Sequence, residues 1–174
     1  VKCDYIEINS LRELDEAYRF LKSSKEAEKY ETICLDSLSE IAEVLVAEIK
    51  PTVKDPRQAY GQLADSAMPM LRRFRDLKGV NTLFTCKLIT LQDEESNKIT
   101  EELMLPGKVL SAQVPYLVDE LFKLKIDRKG KSTLQTNPDR LSFAKDRSGA
   151  LLPEEEPNMT TIINKILAKA KRNT

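Results

Sequence analysis

Histidine and tryptophan are absent from this chain of 174 residues, and it has only three cysteines. Cys3, Cys34 and Cys86 show no paired spacing and lie in apolar, strand-like stretches. They therefore indicate core thiols of a reducing compartment and not a disulfide framework. The same composition argues against a structural zinc site, which takes histidines and closely spaced cysteines.

Long apolar runs and net charge are also missing. No run approaches the roughly 20 residues that a membrane-spanning helix needs. Lys+Arg and Asp+Glu are 28 each, so the molecule has no overall field that would attract nucleic acid, and any basic site must be local. The length suits one domain with a full core.

Strand and helix patterns alternate along the chain. Apolar residues at helical spacing, capping residues and breakers predict helices over 11–21, 38–49, 55–78, 109–116 and 158–171. Strand patterns cover 4–8, 33–35, 80–89, 99–104, 118–126 and 132–136, the last two joined as a hairpin. We expect one α/β domain with a parallel core first and antiparallel strands at its carboxyl end.

The junction between strand 33–35 and the following helix raises a question. The strand runs directly into Asp36-Ser37, and Ser37 with Glu40 forms a capping box. The carboxylate of Asp36 is then not needed for capping, although capping by Asp36 and Ser37 together is the alternative.

Several short stretches, in this order, resemble a known family. They are ICLDS (33–37), NTLFTCK (81–87), LPGK (105–108), VDELFKLKI (118–126), LQT (134–136) and KDRSG (145–149). ICLDS matches the Walker B strand of P-loop ATPases, and the series is similar to the RecA-like ATPases of bacteriophages, nucleotide-binding proteins linked to single-strand annealing and DNA recombination. The likeness spans about residues 5–166. It implies a RecA-like P-loop core, a mostly parallel sheet flanked by helices, in the cytoplasm of the bacterial host.

The resemblance implies ATP and Mg²⁺ as cofactors. Asp36 would orient the metal, mostly through a water molecule, and Ser37 would support it. Glu40 would polarise the attacking water, although its place in the capping box is the simpler explanation. Thr85 and Lys87 would occupy the place of the γ-phosphate sensor at a carboxyl strand end. An exposed strand end would explain Lys87 equally well.

Lys145 and Arg147 are similar to the Lys-x-Arg element by which RecA-like rings and filaments reach the ATP of a neighbouring subunit. Side chains two residues apart on an extended segment point the same way, so both could reach one triphosphate. The alternative is a solvated basic turn. If the resemblance holds, the active site is shared and the protein is a homo-oligomer.

The sequence departs from this family in one respect. No Gly-x-x-x-x-Gly-Lys-Ser/Thr loop is present to cradle phosphates, and Pro106-Gly107-Lys108-Val109 does not fit it. In the family this loop and the central strand precede the segments named above. We therefore expect that the chain, which begins at Val1, is N-terminally incomplete and does not hydrolyse ATP by itself.

Binding of single-stranded DNA also follows from the resemblance alone. The loop expected to face DNA, QDEESNK (92–98), is acidic and would repel phosphates. Two alternatives stay open: a ring-type motor or switch ATPase with the same core, and a non-catalytic α/β interaction domain.

Overall fold

The computed structural model describes residues 3–94 and 97–172, which divide into two compact units. The first unit runs to Leu88 and includes Leu103–Val114; the second comprises Ile89–Glu102 and continues from Pro115. No helix in these ranges combines the length and the apolar character needed to cross a bilayer. The expectation of one domain over the whole chain stays a prediction.

Three helices and two parallel strands form most of the first unit. In chain order they are α1 (Leu11–Ser23), β1 (Thr32–Leu35), α2 (Leu38–Ile49), α3 (Pro56–Arg75) and β2 (Asn81–Phe84), with 3-10 turns at Lys25–Lys29 and Lys50–Thr52. The helices begin where the sequence predicts, because Ser10, Ser37 and Asp55 each accept a backbone N–H of the first turn. The apolar faces of α1, α2 and α3 form the core, in which Tyr18 meets Phe74 edge to face at 5.5 Å.

β1 and β2 pair in parallel, with Thr32 opposite Asn81 and Leu35 opposite Phe84. Their carboxyl ends therefore meet at the same edge of the sheet. The predicted arrangement of strand, helix, helix and strand in 33–84 is confirmed by this pairing.

The second unit is built from short strands and one long helix. Its elements are most of β3 (Leu88–Gln92), most of β4 (Ile99–Leu103), the end of α4 (Lys108–Leu117), β5 (Glu120–Leu121), β6 (Lys123–Ile126), β7 (Ser132–Gln135), β8 (Lys145–Asp146), β9 (Glu154–Glu155) and α5 (Met159–Arg172). β6 and β7 form the predicted antiparallel hairpin, and β9 extends it on the other side of β7. Asn158 caps α5 by accepting the N–H of Thr161 at 3.1 Å.

Several strand predictions were wrong. Residues 4–8 have no regular structure, and Tyr5 and Ile6 are exposed. The single strand expected over 80–89 is two strands, and the one expected over 118–126 is split between β5 and β6, which belong to different sheets. The described strands fall into four small sheets and not into one mostly parallel sheet.

Candidate functional site

Ser37 and Asp36 have separate roles at the start of α2. Ser37 has extended backbone angles and its Oγ accepts the N–H of Glu40 at 3.3 Å, so it is the helix cap. The Asp36–Ser37 peptide bond is cis. The carboxylate of Glu40 does not complete the capping box within the described residues; it lies 3.4 Å from Nζ of Lys87. Asp36 is therefore free of the cap, as the sequence predicts.

Asp36 meets Thr85 at the edge where β1 and β2 end. Oγ1 of Thr85 donates a hydrogen bond to Oδ1 of Asp36, and the N–H of Thr85 donates to the carbonyl of Leu35 at 3.1 Å. Among the described residues, Oδ2 of Asp36 has no hydrogen-bond partner. The structure thus brings together two residues 49 positions apart and leaves one carboxylate oxygen facing solvent.

The segment Thr85-Cys86-Lys87 leaves the strand ladder because α2 supplies other partners. The N–H of Leu38 donates to the carbonyl of Thr85 at 2.8 Å, which satisfies an amide that a helix start otherwise leaves unpaired. Oγ of Ser39 accepts the N–H of Lys87 at 2.9 Å and lies 3.3 Å from Sγ of Cys86. These contacts explain why the predicted strand 80–89 is interrupted here.

Ser39 and Cys86 are the residues of this site that sequence reasoning missed. Ser39 shares the buried stripe of α2 with Ala42 and Val46, at helical spacing. A hydroxyl on an apolar stripe was the available signal, because a buried hydroxyl requires a partner from another segment.

Glu40 and Lys87, both predicted site residues, form an ion pair with each other. Their side chains are 67% and 58% exposed, so water screens the attraction and the pair can open at little cost. The carbonyl of Lys87 accepts the N–H of Met104 at 2.8 Å, which fixes its backbone from the other side.

Of the two thiols near this edge, Cys34 is exposed and Cys86 is half-buried, so neither lies in the core as predicted. Partial desolvation still raises the pKa of Cys34, and the negative charge of Asp36 raises it further. Burial also raises the pKa of Cys86, against the smaller opposing effects of Ser39 and the Met104 backbone. Both shifts disfavour the thiolate, which is the nucleophilic form of cysteine.

The donor set at this edge suits magnesium better than a tightly held transition metal. No group of three or more His, Cys, Asp or Glu side chains is placed to hold a metal within the part of the chain that the structure describes. Mg²⁺ commonly takes one or two carboxylates and completes its shell with water and substrate phosphates. One carboxylate with an open oxygen, Asp36, next to the hydroxyls of Ser37 and Thr85, fits that requirement.

Lys145 and Arg147 lie in the second unit and have different surroundings. Nζ of Lys145 donates to the carbonyls of Pro115 and Val118, at 2.8 and 2.5 Å. Burial, and then the charge of Arg147, lower the pKa of Lys145. Arg147 is 66% exposed and pairs with Asp119 at 2.6 Å. Lys145 is thus held by the chain around the end of α4, whereas Arg147 is accessible.

Asp146, between these two cations, organises the turn that carries Arg147. Its carboxylate accepts Oγ of Ser148 and the N–H groups of Gly149 and Leu151, at 2.5–2.9 Å. Glu120 is its cross-strand neighbour and accepts the N–H of Ser148 at 3.1 Å. Burial raises the pKa of Glu120, and the carboxylate of Asp146 adds to this effect. The extended segment predicted here covers only Lys145–Asp146 and changes to a bend at Arg147, and the roles of both cations stay predictions.

Comparison with known proteins assigns the chain to a family. No curated protein and no solved structure matches the chain. A family described as the AAA domain matches residues 2–148, a range that takes in Asp36, Thr85, Lys87 and Arg147. The match covers most of the chain, and it accords with a P-loop ATPase type of domain. The chain belongs to the AAA domain family.

Proposed function

We propose that this chain supplies the magnesium side of an ATP site in an oligomeric, RecA-like phage ATPase that acts in DNA recombination or single-strand annealing. The observation that carries the nucleotide part is the contact between Thr85 and Asp36 at the carboxyl ends of two parallel strands. Open parallel sheets bind their ligands at this edge. Membership of the AAA domain family supports the same reading.

In this proposal Asp36 orients Mg²⁺, mostly through a water ligand. A bound magnesium ion would neutralise charge on the phosphate oxygens. Thr85 donates to one oxygen of Asp36 and so fixes the direction in which the other oxygen points. Ser37 is committed to the helix cap, and its hydroxyl supports the site from there.

Glu40 and Lys87 would act after their ion pair opens. Glu40 is the residue proposed to polarise the attacking water, and Lys87 is proposed to contact the γ-phosphate. A phosphate draws the lysine amine away from a carboxylate because its charge is larger. Until nucleotide arrives, the ion pair holds Glu40 and Lys87 next to each other.

Arg147 is the residue proposed to complete the site of a neighbouring subunit. It is exposed, and its partner Asp119 is equally exposed, so solvent screening makes the exchange of Asp119 for a phosphate inexpensive. Lys145 donates to two backbone carbonyls, a role that fixes the segment bearing Arg147. For Lys145, direct contact with phosphate would require it to leave these carbonyls.

One alternative is a non-catalytic α/β interaction domain with this fold. The other alternative, a ring-type motor or switch ATPase, shares the proposed site. Single-stranded DNA that stimulates hydrolysis when duplex DNA does not would favour the recombination role over the motor.

The deciding experiment is titration of a fluorescent ATP analogue with the full gene product, with and without Mg²⁺. We expect Mg²⁺ to strengthen binding, and we expect Asp36→Ala to remove this gain while binding without metal changes little. Asp65→Asn, an exposed carboxylate of α3, is the matched control and should behave like the wild type. If the wild-type protein binds no nucleotide, the proposed ATP site is wrong and the non-catalytic interaction domain is the supported function.

A further inference from the structure

Ser39 is a polar residue in an apolar environment. It is 3% exposed and lies in the first turn of α2, on the stripe that continues through Ala42 and Val46. It is not the helix cap, because Ser37 fills that role. Its hydroxyl is therefore available to another segment, and a buried hydroxyl is costly unless it is paired.

The hydroxyl of Ser39 is used entirely by residues that follow β2. It accepts the N–H of Lys87 at 2.9 Å and contacts Sγ of Cys86 at 3.3 Å. Because the oxygen accepts from Lys87, its own proton is free to point at the sulfur, and both capacities of the hydroxyl are then satisfied. This arrangement fixes the rotamer of Ser39 and the backbone at Lys87 together.

Other contacts hold the same segment: two lie at Thr85, and the N–H of Met104 donates to the carbonyl of Lys87 at 2.8 Å. The N–H of Thr85 donates to Leu35, and the carbonyl of Thr85 accepts from Leu38. Among the described residues, the hydroxyl of Ser39 is the link from α2 to the backbone beyond Thr85. The direction in which the chain leaves Thr85 therefore depends on Ser39 on the side of α2 and on the Met104 amide on the other side.

We infer that Ser39 is a positioning residue: its hydroxyl holds Cys86 and Lys87 against α2. This keeps Lys87 beside Glu40 and adds to the backbone contacts that hold Thr85 at Asp36. The effect of Ser39 on nucleotide binding rests on the proposed function, whereas its effect on the position of residues 85–87 does not. Ser39 touches neither metal nor nucleotide in this scheme; it acts through Thr85 and Lys87.

The first measurement is amide hydrogen exchange at Lys87 in the full gene product, compared between wild type, Ser39→Ala and Cys86→Ala. Ser39→Ala removes the acceptor of the Lys87 amide, so exchange of that amide should accelerate by about tenfold or more. Cys86→Ala removes the other partner of Ser39 and keeps that acceptor, so exchange at Lys87 should stay within about twofold.

The second measurement is the gain in affinity for the fluorescent ATP analogue on adding Mg²⁺. Ser39→Ala should lose most of this gain, by about tenfold, while metal-free affinity stays within about twofold. A purely structural defect would weaken both affinities together. Ser39→Cys keeps a weaker acceptor and is expected to give intermediate exchange at Lys87; it replaces Ser39→Ala if the alanine variant does not fold.

Three results would count against the inference or the function it rests on. Unchanged exchange at Lys87 in Ser39→Ala would overturn the inference. Faster exchange with an intact Mg²⁺ gain would overturn the positioning role. A wild type with no Mg²⁺ gain would overturn the proposed function, and exchange at Lys87 would still decide whether Ser39 holds the segment.

Discussion

At the scale of single residues, the site depends on one carboxylate and the hydroxyl that faces it. Thr85 is half-buried and its hydroxyl donates to Asp36, whereas the rest of Thr85 is held by backbone contacts to Leu35 and Leu38. The backbone contacts do not involve the side chain. A substitution at Thr85 can therefore change the orientation of Asp36 without moving the chain.

Replacing Thr85 by valine should test this separation. Valine has the shape of threonine but no hydroxyl donor. Asp36 therefore loses the hydrogen bond to Oδ1 that fixes the direction of its other oxygen, Oδ2. We expect the Mg²⁺-dependent gain in nucleotide affinity to fall about tenfold, the usual effect of losing one charge-assisted hydrogen bond. The thermal midpoint should change by no more than a few degrees.

Thr85→Ser is the matched control, because it keeps the hydroxyl and loses only a methyl group. It should retain the gain. Equal loss in the valine and serine variants would show that packing at Thr85, and not its hydroxyl, orients Asp36. Titration with and without Mg²⁺, done alongside thermal unfolding, makes the distinction.

At the scale of elements, the second unit contains an ion pair that fixes α5 to β9. Glu155 in β9 is 7% exposed and accepts Nζ of Lys165 at 2.6 and 2.8 Å, as well as the N–H of Leu152 at 2.9 Å. The bond from Lys165 is the main reason that the pKa of Glu155 lies below its ordinary value of 4.5, and the Leu152 amide adds to it. Burial opposes both effects.

Stability should therefore depend on pH through Glu155. A carboxyl group with a depressed pKa in the folded state stabilises the protein above its ordinary pKa, and this contribution is lost as the pH falls through the folded value. Urea unfolding from pH 7 downwards should show a loss below about pH 4.5 that is smaller in Glu155→Gln. A loss of the same size in that variant would assign the effect to other carboxylates.

Lys165→Met provides the complementary test at pH 7. It leaves the buried carboxylate of Glu155 without its cation, and we expect a loss of about 1–3 kcal/mol in the free energy of unfolding. Lys169→Met, on the same helix and exposed, is the control and should have little effect.

The elements that could be predicted are those determined by nearby residues. α2 extends over the predicted 38–49 because Ser37 caps it and Pro51 follows it, and α3 begins after Asp55 for the same kind of reason. The interruption at residues 85–87 could not be predicted, because its partners Leu38 and Ser39 lie nearly fifty positions away. An apolar run appears continuous in sequence whether or not distant amides and hydroxyls interrupt it.

The candidate site also has features that could be predicted from the sequence and features that could not. The positions of Asp36 and Thr85 at one edge follow from two parallel strands, and the sequence predicted both. The pairing of Glu40 with Lys87 did not follow, because it requires the direction of the chain after Thr85. The turn around Asp146 was visible only as a charged, glycine-containing stretch; its hydrogen bonds to Ser148 and Leu151 are what give Arg147 a defined position.

At the scale of the whole molecule, the distribution of charged side chains gives little evidence for nucleic-acid binding. The predicted acidic loop is exposed at residues 92–94 and 97–98, while residues 95 and 96 lie outside the described ranges. The basic side chains at the end of α5 are Lys169, Lys171 and Arg172, where cations also favour the helix dipole. A role in recombination therefore rests on the resemblance of the sequence motifs, and salt-dependent binding to single-stranded DNA would be its direct measure.

The proposed shared site makes a prediction about assembly. If Arg147 acts on the nucleotide of a neighbouring subunit, Asp36→Ala and Arg147→Ala should each abolish hydrolysis by the full gene product. Mixing equal amounts of the two variants should restore activity, since about a quarter of the interfaces then pair an intact Asp36 with an intact Arg147. Arg140→Ala, an exposed arginine of the second unit, should stay active alone. Steady-state phosphate release in mixtures measures this directly. Two inactive variants that stay inactive after subunit exchange, shown by a labelled copy entering the oligomer, would mean that Arg147 serves its own subunit or the structure alone.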